Sequence, residues 1–212
     1  MINLIWDLDG TLFNTYPFIV NRIQKALSSF NLSYSYDEIY EHLIKTTTFD
    51  FLLFIEKKHN IGVGLLLNAI KKIDLDYSNV ELMPHVKEFL DINQDLNKVR
   101  HFIYTHRDHK TCNFLLCFLE IDDFFVEVVD EGNVHFVRKP DPESINYLIK
   151  TYSMDKNNTY YIGDRKIDAL CAKNAGIKSI FYNSSNIKME KFDCDFEIKD
   201  LFYINKFIPD IK

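Results

Sequence analysis

The chain has 212 residues, of which 47% are hydrophobic and 15% aromatic, enough for a sizeable core and too apolar for a disordered polypeptide. Its 25 basic and 31 acidic residues leave a formal charge of −6, which argues against nucleic acid or an anionic membrane as a partner. No apolar run approaches the ~20 residues of a membrane span, and the first one is too short for a signal peptide. We therefore expect a soluble, cytoplasmic protein with one large domain, or one domain carrying an insertion.

The first predicted strand ends in two carboxylates. The apolar segment Ile2–Trp6 predicts a short buried strand, and Asp7 and Asp9 follow it. Gly10 then permits a tight turn, and Thr11 adds a hydroxyl. Residues two apart in an extended segment point the same way, so both carboxylates are expected on one side of the backbone. This arrangement suits a hard divalent cation and an attacking carboxylate, although the same residues also occur in ordinary turns.

Strand and helix patterns alternate along most of the chain. Strands are predicted at Ile2–Trp6, His101–Tyr104, Phe124–Val129, Thr159–Ile162 and Ser179–Tyr182. Helices are predicted at Val86–Ile92, Thr111–Leu119, Pro142–Lys150 and Ile167–Asn174. This order predicts an α/β fold with a Rossmann-like, three-layer parallel sheet and right-handed crossovers. Ligands of such sheets bind at the C-terminal ends of the strands.

One interval breaks this alternation. From residue 15 to residue 77 the apolar periodicity is helical, as in the stripe formed by Phe18, Ile23 and Leu27. We interpret residues 15–77 as a helical cap subdomain inserted after the first strand, and residues 1–14 and 78–212 as the catalytic core. Such a cap would act as a lid over the strand ends. The alternative is that these helices simply pack on the sheet.

Further polar groups follow the other predicted strands. Thr105 and His106 come directly after the second strand, and Asp164 follows the fourth. Asp168 lies one helical turn after Asp164 and is expected on the same side. Lys139 precedes a proline upstream of a predicted helix. Because the C-terminal ends of parallel strands meet at one edge, we expect these groups in one crevice.

These motifs resemble those of phosphatases of the haloacid dehalogenase superfamily. The family pattern is Asp-x-Asp-x-Thr, a Thr after the second strand, Lys-Pro, and Gly-Asp-x-x-x-Asp, and all four occur here in order. The helical insertion resembles the cap of phosphoglycolate-phosphatase-like and β-phosphoglucomutase-like members. The resemblance covers essentially the whole chain. It implies a Mg²⁺-dependent enzyme that hydrolyses a small phosphorylated metabolite.

The resemblance also implies a role for each motif residue. Asp7 would attack phosphorus and form an aspartyl-phosphate. Asp9 would protonate the leaving alcohol and then deprotonate the water that hydrolyses the intermediate. Thr105 would donate a hydrogen bond to a phosphate oxygen, and His106 would shape the phosphate loop through its backbone N–H. Lys139 would hold both Asp7 and the phosphoryl group.

The metal would be held by oxygen ligands. Asp7 and Asp164 would ligate Mg²⁺ through their carboxylates, and Asp9 would do so through its backbone carbonyl, by resemblance. Asp168 would ligate directly or through a water.

Substrate selectivity would belong to the insertion, where no motif names a ligand. Thr46, Thr47 and Thr48 lie between helical patterns and would touch substrate if that turn faces the site. A helix-capping role for them is favoured. A sugar phosphomutase, a dehalogenase and a catalytically silent binding protein on the same fold are the competing functions. The sequence indicates neither the substrate nor the oligomeric state.

Overall fold

The structure is a computed structural model that describes residues 1–132, 136–185 and 191–212. The strands within these residues are β1 (Ile2–Trp6), β2 (Val99–Tyr104), β3 (Phe125–Val129), β4 (Thr159–Gly163), β5 (Lys178–Tyr182) and β6 (Phe196–Ile198). The α-helices are α1 (Tyr16–Ser28), α2 (Tyr36–Lys45), α3 (Thr48–Lys58), α4 (Leu65–Lys71), α5 (Val86–Ile92), α6 (His109–Phe118), α7 (Glu143–Thr151) and α8 (Lys166–Ala175). No helix in these ranges combines the length and apolar character needed to cross a bilayer.

The six strands form one parallel sheet in the order β3-β2-β1-β4-β5-β6. Strands β2 and β3 are added on one side of β1, and strands β4, β5 and β6 are added on its other side. The switch point therefore lies between β1 and β4, where an open sheet of this kind binds its ligands. The predicted α/β fold with a parallel sheet is confirmed.

Helices cover both faces of the sheet. Ile5 of β1 belongs to an apolar cluster that includes Leu148 of α7 and Ala172 of α8. The next residue, Trp6, points to the opposite face, since side chains alternate along a strand. There its ring contacts that of Phe89 of α5, with the centroids 5.6 Å apart. The central strand is thus buried on both sides, which explains its uninterrupted apolar sequence.

The observed bounds of most predicted strands and helices differ from the predictions by one or two residues, and two differences have a clear physical cause. The short edge strand β6 was not predicted, because three residues are too few to show a strand periodicity. It is held by pairing with β5 and by Asp195, whose Oδ2 accepts hydrogen bonds from the backbone N and the hydroxyl of Ser179, both at 2.8 Å. Helix α7 begins at Glu143 with Pro142 as its N-cap, one residue later than expected. The side chain of Asp141, the residue before the N-cap, accepts a hydrogen bond with Oδ1 from the N–H of Glu143 at 3.0 Å.

The chain divides into two compact units. One consists of Met1–Asn14 and Glu81–Lys212 and contains the sheet. The other, Thr15–Val80, contains the four helices α1–α4. Its interior is built from the amphipathic faces of these helices, with Ile23 and Ile55 among the fully buried side chains. Whether this helical unit works as a cap stays a prediction.

A neutral histidine lies inside the sheet, on the strand next to β1. His101 of β2 is fully buried, and its Nδ1 accepts a hydrogen bond from Nε1 of Trp6 at 3.1 Å. Its Nε2 lies 3.1 Å from the carbonyl oxygen of Asn93. Because an indole N–H can only donate, Nδ1 must be unprotonated, and the ring proton sits on Nε2 and is donated to that carbonyl. Burial lowers the pKa of His101 to about 4.

We expect acid to destabilise the protein more than it destabilises a His101→Gln variant. An unfolded histidine takes up a proton near pH 6.5, whereas folded His101 stays neutral down to about pH 4. The stabilisation is therefore complete above about pH 6.5 and is lost as the pH falls towards 4, by up to about 1.4 kcal/mol per pH unit. Urea unfolding at pH 7 and pH 5 measures the difference. Equal losses in the two proteins would contradict the assignment.

Candidate active site

The candidate site lies at the C-terminal edge of the sheet, at the switch point. Asp7 follows β1, and its N–H donates to the carbonyl of Ile162 in β4 at 2.9 Å, which extends the pairing of the two strands by one residue. Thr105 follows β2 and is fixed in the same way, by a 3.0 Å hydrogen bond to the carbonyl of Val129. Gly10, with a φ of +80°, lets the chain turn directly after Asp9. The predicted strand ends therefore place Asp7 and Thr105 at one edge.

Three buried carboxylates meet at this edge. One oxygen each of Asp7, Asp164 and Asp168 lies within 4.8 Å of the other two. Asp164 follows β4, and Asp168 is in the first turn of α8. Gly163 makes this approach possible, because a Cβ on it would lie 2.5 Å from both Cβ and Cγ of Asp168. The close packing of Asp168 against Gly163 therefore explains why the Gly-Asp-x-x-x-Asp motif begins with glycine.

Lys139 joins two of these carboxylates. Its side chain is fully buried, and Nζ donates to Oδ1 of Asp7 at 2.5 Å and to Oδ1 of Asp168 at 2.9 Å. The rings of Tyr104 and Tyr161 also face the ammonium, with centroids 5.0 and 5.1 Å from Nζ. Burial opposes the charged form, but the carboxylates of Asp168 and Asp7 raise the pKa of Lys139. The ammonium is therefore charged and offsets one of the three carboxylates.

Two opposing effects act on the pKa of Asp7. Burial raises its pKa to about 6, while the ammonium of Lys139 acts in the opposite direction. Its Oδ1 is held by Lys139, but its Oδ2 makes no hydrogen bond with any described residue. A buried carboxylate oxygen without such a partner is costly unless something else approaches it. Oδ2 is therefore the oxygen available for a cation or a phosphorus atom.

Asp168 is held from several sides. Its Oδ2 accepts from the backbone N–H of Arg165 at 3.1 Å, in addition to the contact of Oδ1 with Lys139. The hydroxyl of Tyr161 lies 3.5 Å from Oδ1 and donates to the carbonyl of Tyr104 at 3.0 Å. Asp168 thus orients Lys139 and the start of α8 together, which favours a supporting role beside Asp7 and Asp164.

The segment after β2 connects Thr105 to Lys139. Oγ1 of Thr105 accepts from the N–H of Arg107 at 3.1 Å. Nε2 of His106 accepts a hydrogen bond from the backbone N–H of Lys139 at 2.9 Å. This nitrogen therefore carries no proton, and the imidazole is neutral. Burial and the ammonium of Lys139 lower the pKa of His106 to about 2. The side chain of His106 therefore positions Lys139, while the expected phosphate contact of its backbone N–H stays a prediction.

Asp9 lies outside the group of three carboxylates. Its Oδ1 forms an ion pair with Nη2 of Arg107, and its side chain is 25% exposed against 8% for Arg107. The sequence prediction gave Arg107 no role. Its position two residues after Thr105 was the only signal, and the contact itself joins residues 98 apart in the chain.

The three candidate threonines lie in the helical unit. Thr46 ends α2 and donates from Oγ1 to the carbonyl of His42 at 2.8 Å. Thr47 is the N-cap of α3, and its Oγ1 accepts from the N–H of Asp50 at 3.1 Å. Thr48 is the first residue of α3. Two of the hydroxyls thus serve helix ends, as the favoured alternative expected, and a contact with substrate stays a prediction.

The chain is similar to known proteins along most of its length. A family model described as haloacid dehalogenase-like hydrolase matches residues 4–182. The pyrophosphatase PpaX of Oceanobacillus iheyensis is 23% identical over 218 aligned positions, which cover 98% of this chain and 89% of the relative. The phosphoglycolate phosphatase of Haemophilus influenzae is 25% identical over 187 positions, which cover 81% of this chain and 80% of the relative.

Solved structures share the fold over nearly the whole chain. A predicted phosphoglycolate phosphatase from Haemophilus somnus superposes with a TM-score of 0.79 at 21% identity, covering 98% of each chain. A haloacid dehalogenase-like protein from Agrobacterium tumefaciens gives a TM-score of 0.81 at 15% identity, covering 99% of this chain and 98% of the other. With the family match spanning most of its length, the chain belongs to the haloacid dehalogenase-like hydrolase family, which confirms the predicted fold and enzyme class.

Proposed function

We propose that the protein is a Mg²⁺-dependent phosphatase that hydrolyses a small phosphomonoester through an aspartyl-phosphate on Asp7. One observation carries the proposal. Asp7 is a buried carboxylate with one oxygen held by Lys139 and the other without a hydrogen bond to the described residues, beside Asp164 and Asp168. This is the arrangement that a carboxylate nucleophile needs, because one oxygen is oriented while the other remains available for attack.

The residues present fit the metal that the family implies. Asp7, Asp164 and Asp168 supply only oxygen donors, the ligands that Mg²⁺ prefers. Among the described residues, the cations beside the three carboxylates are Lys139 and Arg165, whose Nε lies 3.9 Å from Oδ1 of Asp164. Two positive charges against three negative ones leave an excess of negative charge that a divalent cation would offset. Asp7 and Asp164 would hold the ion, with the backbone carbonyl of Asp9, and Asp168 would support them. Bound there, Mg²⁺ would neutralise charge on the phosphoryl oxygens.

In the first step, Oδ2 of Asp7 attacks phosphorus and the bond from phosphorus to the ester oxygen breaks. Asp9 in its protonated form gives the proton to the departing oxygen and becomes the carboxylate that pairs with Arg107, so an alcohol leaves and the phosphoryl group stays on Asp7. Lys139 remains on Oδ1 of Asp7 and offsets the charge of the reacting groups. Thr105 would donate its hydroxyl to a phosphoryl oxygen.

In the second step, a water attacks the phosphorus of the aspartyl-phosphate and Asp9 takes the proton that it loses. The bond between phosphorus and Asp7 breaks, inorganic phosphate leaves, and the Asp7 carboxylate is restored. Most of the expected rate enhancement comes from positioning the reacting groups and from neutralising the charge of the phosphoryl oxygens, as is typical of phosphoryl transfer.

The test is phosphate release by the purified protein from a panel of small phosphorylated compounds, with MgCl₂ and with EDTA. Pyrophosphate and phosphoglycolate enter the panel first, because the names of two relatives point to them. We expect turnover that EDTA abolishes and Mg²⁺ restores. Mg²⁺ binding can be followed separately through Trp6, the single tryptophan, which is buried directly before Asp7. A protein that binds Mg²⁺ but hydrolyses nothing would favour a silent binding function, and an isomerised sugar phosphate would favour a mutase.

Several narrower expectations belong to this proposal. The substrate would be a small phosphorylated metabolite, and the charge of −6 argues against nucleic acid and membrane partners. A cytoplasmic location, a lid function of the helical unit and substrate contacts of Thr46, Thr47 or Thr48 stay predictions. Variants of the three threonines assayed across the panel would show whether any of them affects selectivity.

A further inference from the structure

The ion pair between Asp9 and Arg107 places a positive charge beside the proposed proton donor. The guanidinium belongs to a side chain that is only 8% exposed, so it is not a solvated surface group. The side chain of Asp9 is 25% exposed, so the pair keeps an accessible side. None of the catalytic roles assigned above uses Arg107.

The backbone around Arg107 is fixed by the site itself. Its N–H donates to Oγ1 of Thr105 at 3.1 Å, and its carbonyl accepts from the N–H of Glu131 at 3.1 Å. The next residue, Asp108, caps α6 by accepting from the N–H of Thr111 at 2.9 Å. The guanidinium is therefore held beside Asp9 by the same segment that positions the phosphate-binding hydroxyl, and little ordering is needed when a ligand arrives.

The proposed reaction indicates which part of the substrate would lie beside the guanidinium of Arg107. Asp9 must reach the leaving-group oxygen, so a guanidinium that touches Asp9 lies next to the leaving group as well. Once Asp9 has given up its proton it is a carboxylate, and it would repel a negatively charged leaving group unless a cation offset its charge. Lys139 is occupied on the phosphoryl side, between Asp7 and Asp168. Among the described residues, Arg107 is the cation that contacts Asp9, and we place it on the leaving-group side.

We propose that Arg107 binds an anionic group of the leaving group, so that the enzyme prefers substrates whose leaving group carries a negative charge. The inference rests on the proposed function and specifies its substrate class: phosphomonoesters of small hydroxy acids, as opposed to phosphates of neutral alcohols. A guanidinium has five N–H donors in a planar fork, which allows it to contact Asp9 and a second anion together.

The test compares two substrates that differ mainly in the charge of the leaving group, 2-phosphoglycolate and 2-hydroxyethyl phosphate. For Arg107→Gln, we expect kcat/KM to fall roughly ten- to a hundredfold more for phosphoglycolate than for hydroxyethyl phosphate, as the loss of a charge-assisted hydrogen bond implies. Arg107→Lys should keep part of the preference. Lys110→Gln, which removes an exposed charge at the start of α6, should leave it unchanged. Pyrophosphate, assayed beside them, shows whether a phosphate or a carboxylate is the better anion.

Binding gives a readout that does not depend on turnover. Titration calorimetry on Asp7→Asn with the same two compounds should show tighter binding of phosphoglycolate, and the double variant with Arg107→Gln should lose this difference. An equal loss for both compounds, or no preference to begin with, overturns the inference. If the wild-type protein hydrolyses neither these compounds nor any other member of the panel, but the preference in binding depends on Arg107, the proposed function fails and the role of Arg107 in binding the anion stands. Melting curves of each variant exclude misfolding as the cause.

Discussion

Replacement of Asp7 by Asn should lower phosphate release at least about a thousandfold while the fold persists. The amide keeps an oxygen that accepts from Nζ of Lys139, so the local hydrogen bond survives. It removes the carboxylate that would attack phosphorus. Loss of one charge from three buried carboxylates also relieves repulsion. We therefore expect a melting temperature equal to or above that of the wild type.

The matched control is Asp91→Asn, which makes the same chemical change at an exposed position in α5. Its turnover should equal that of the wild type. Rapid-quench experiments with a ³²P-labelled substrate would detect label on the wild-type protein and none on Asp7→Asn. If the Asp7→Asn protein kept full turnover, Asp7 could not be the nucleophile.

Replacement of Lys139 by Met should abolish most of the activity and also destabilise the fold. The ammonium is fully buried and holds Asp7 and Asp168, so its removal leaves three close carboxylates without that charge. Breaking a buried pair of this kind typically costs about 3–5 kcal/mol. Because a divalent cation can supply the missing charge, the free energy of unfolding of this variant should depend more strongly on Mg²⁺ than that of the wild type.

Urea unfolding with and without MgCl₂ measures both effects on stability, and phosphate release measures the loss of turnover. Lys150→Met, at an exposed position in α7, serves as the control and should change neither. Lys139→Arg is expected to remain inactive, since a planar guanidinium does not reproduce a compact ammonium between Tyr104 and Tyr161. Turnover of Lys139→Met within a few-fold of the wild type would show that Lys139 has no part in the chemistry.

Much of the fold could be predicted because its signals are local. Strand β1 was predicted with its observed bounds from an uninterrupted apolar segment, and α5 was predicted over Val86–Ile92 from its periodicity. Gly176 ends α8 with a φ of +73°, a conformation typical of the glycine that follows a helix. The edge strand β6 was not predicted, because its three residues form a strand only through pairing with β5.

The candidate site was predictable to the extent that parallel-sheet topology groups residues. Asp7 and Asp164 follow neighbouring strands, so their proximity follows from the order of the strands. The contact of the imidazole of His106 with the N–H of Lys139 could not be predicted, since it depends on how two loops approach. The same holds for the two tyrosine rings around the ammonium of Lys139.

By itself, the sequence determined the parallel α/β architecture, the family resemblance and the set of residues that would carry the chemistry, because periodicity, turn residues and strand-end motifs are written along the chain. Only the tertiary structure decided how the charges are shared. It placed Lys139 between Asp7 and Asp168 and left Asp9 paired with Arg107, outside the group of three carboxylates. The physical reason is that an ion pair depends on distances of a few ångströms between side chains far apart in sequence, which packing alone sets.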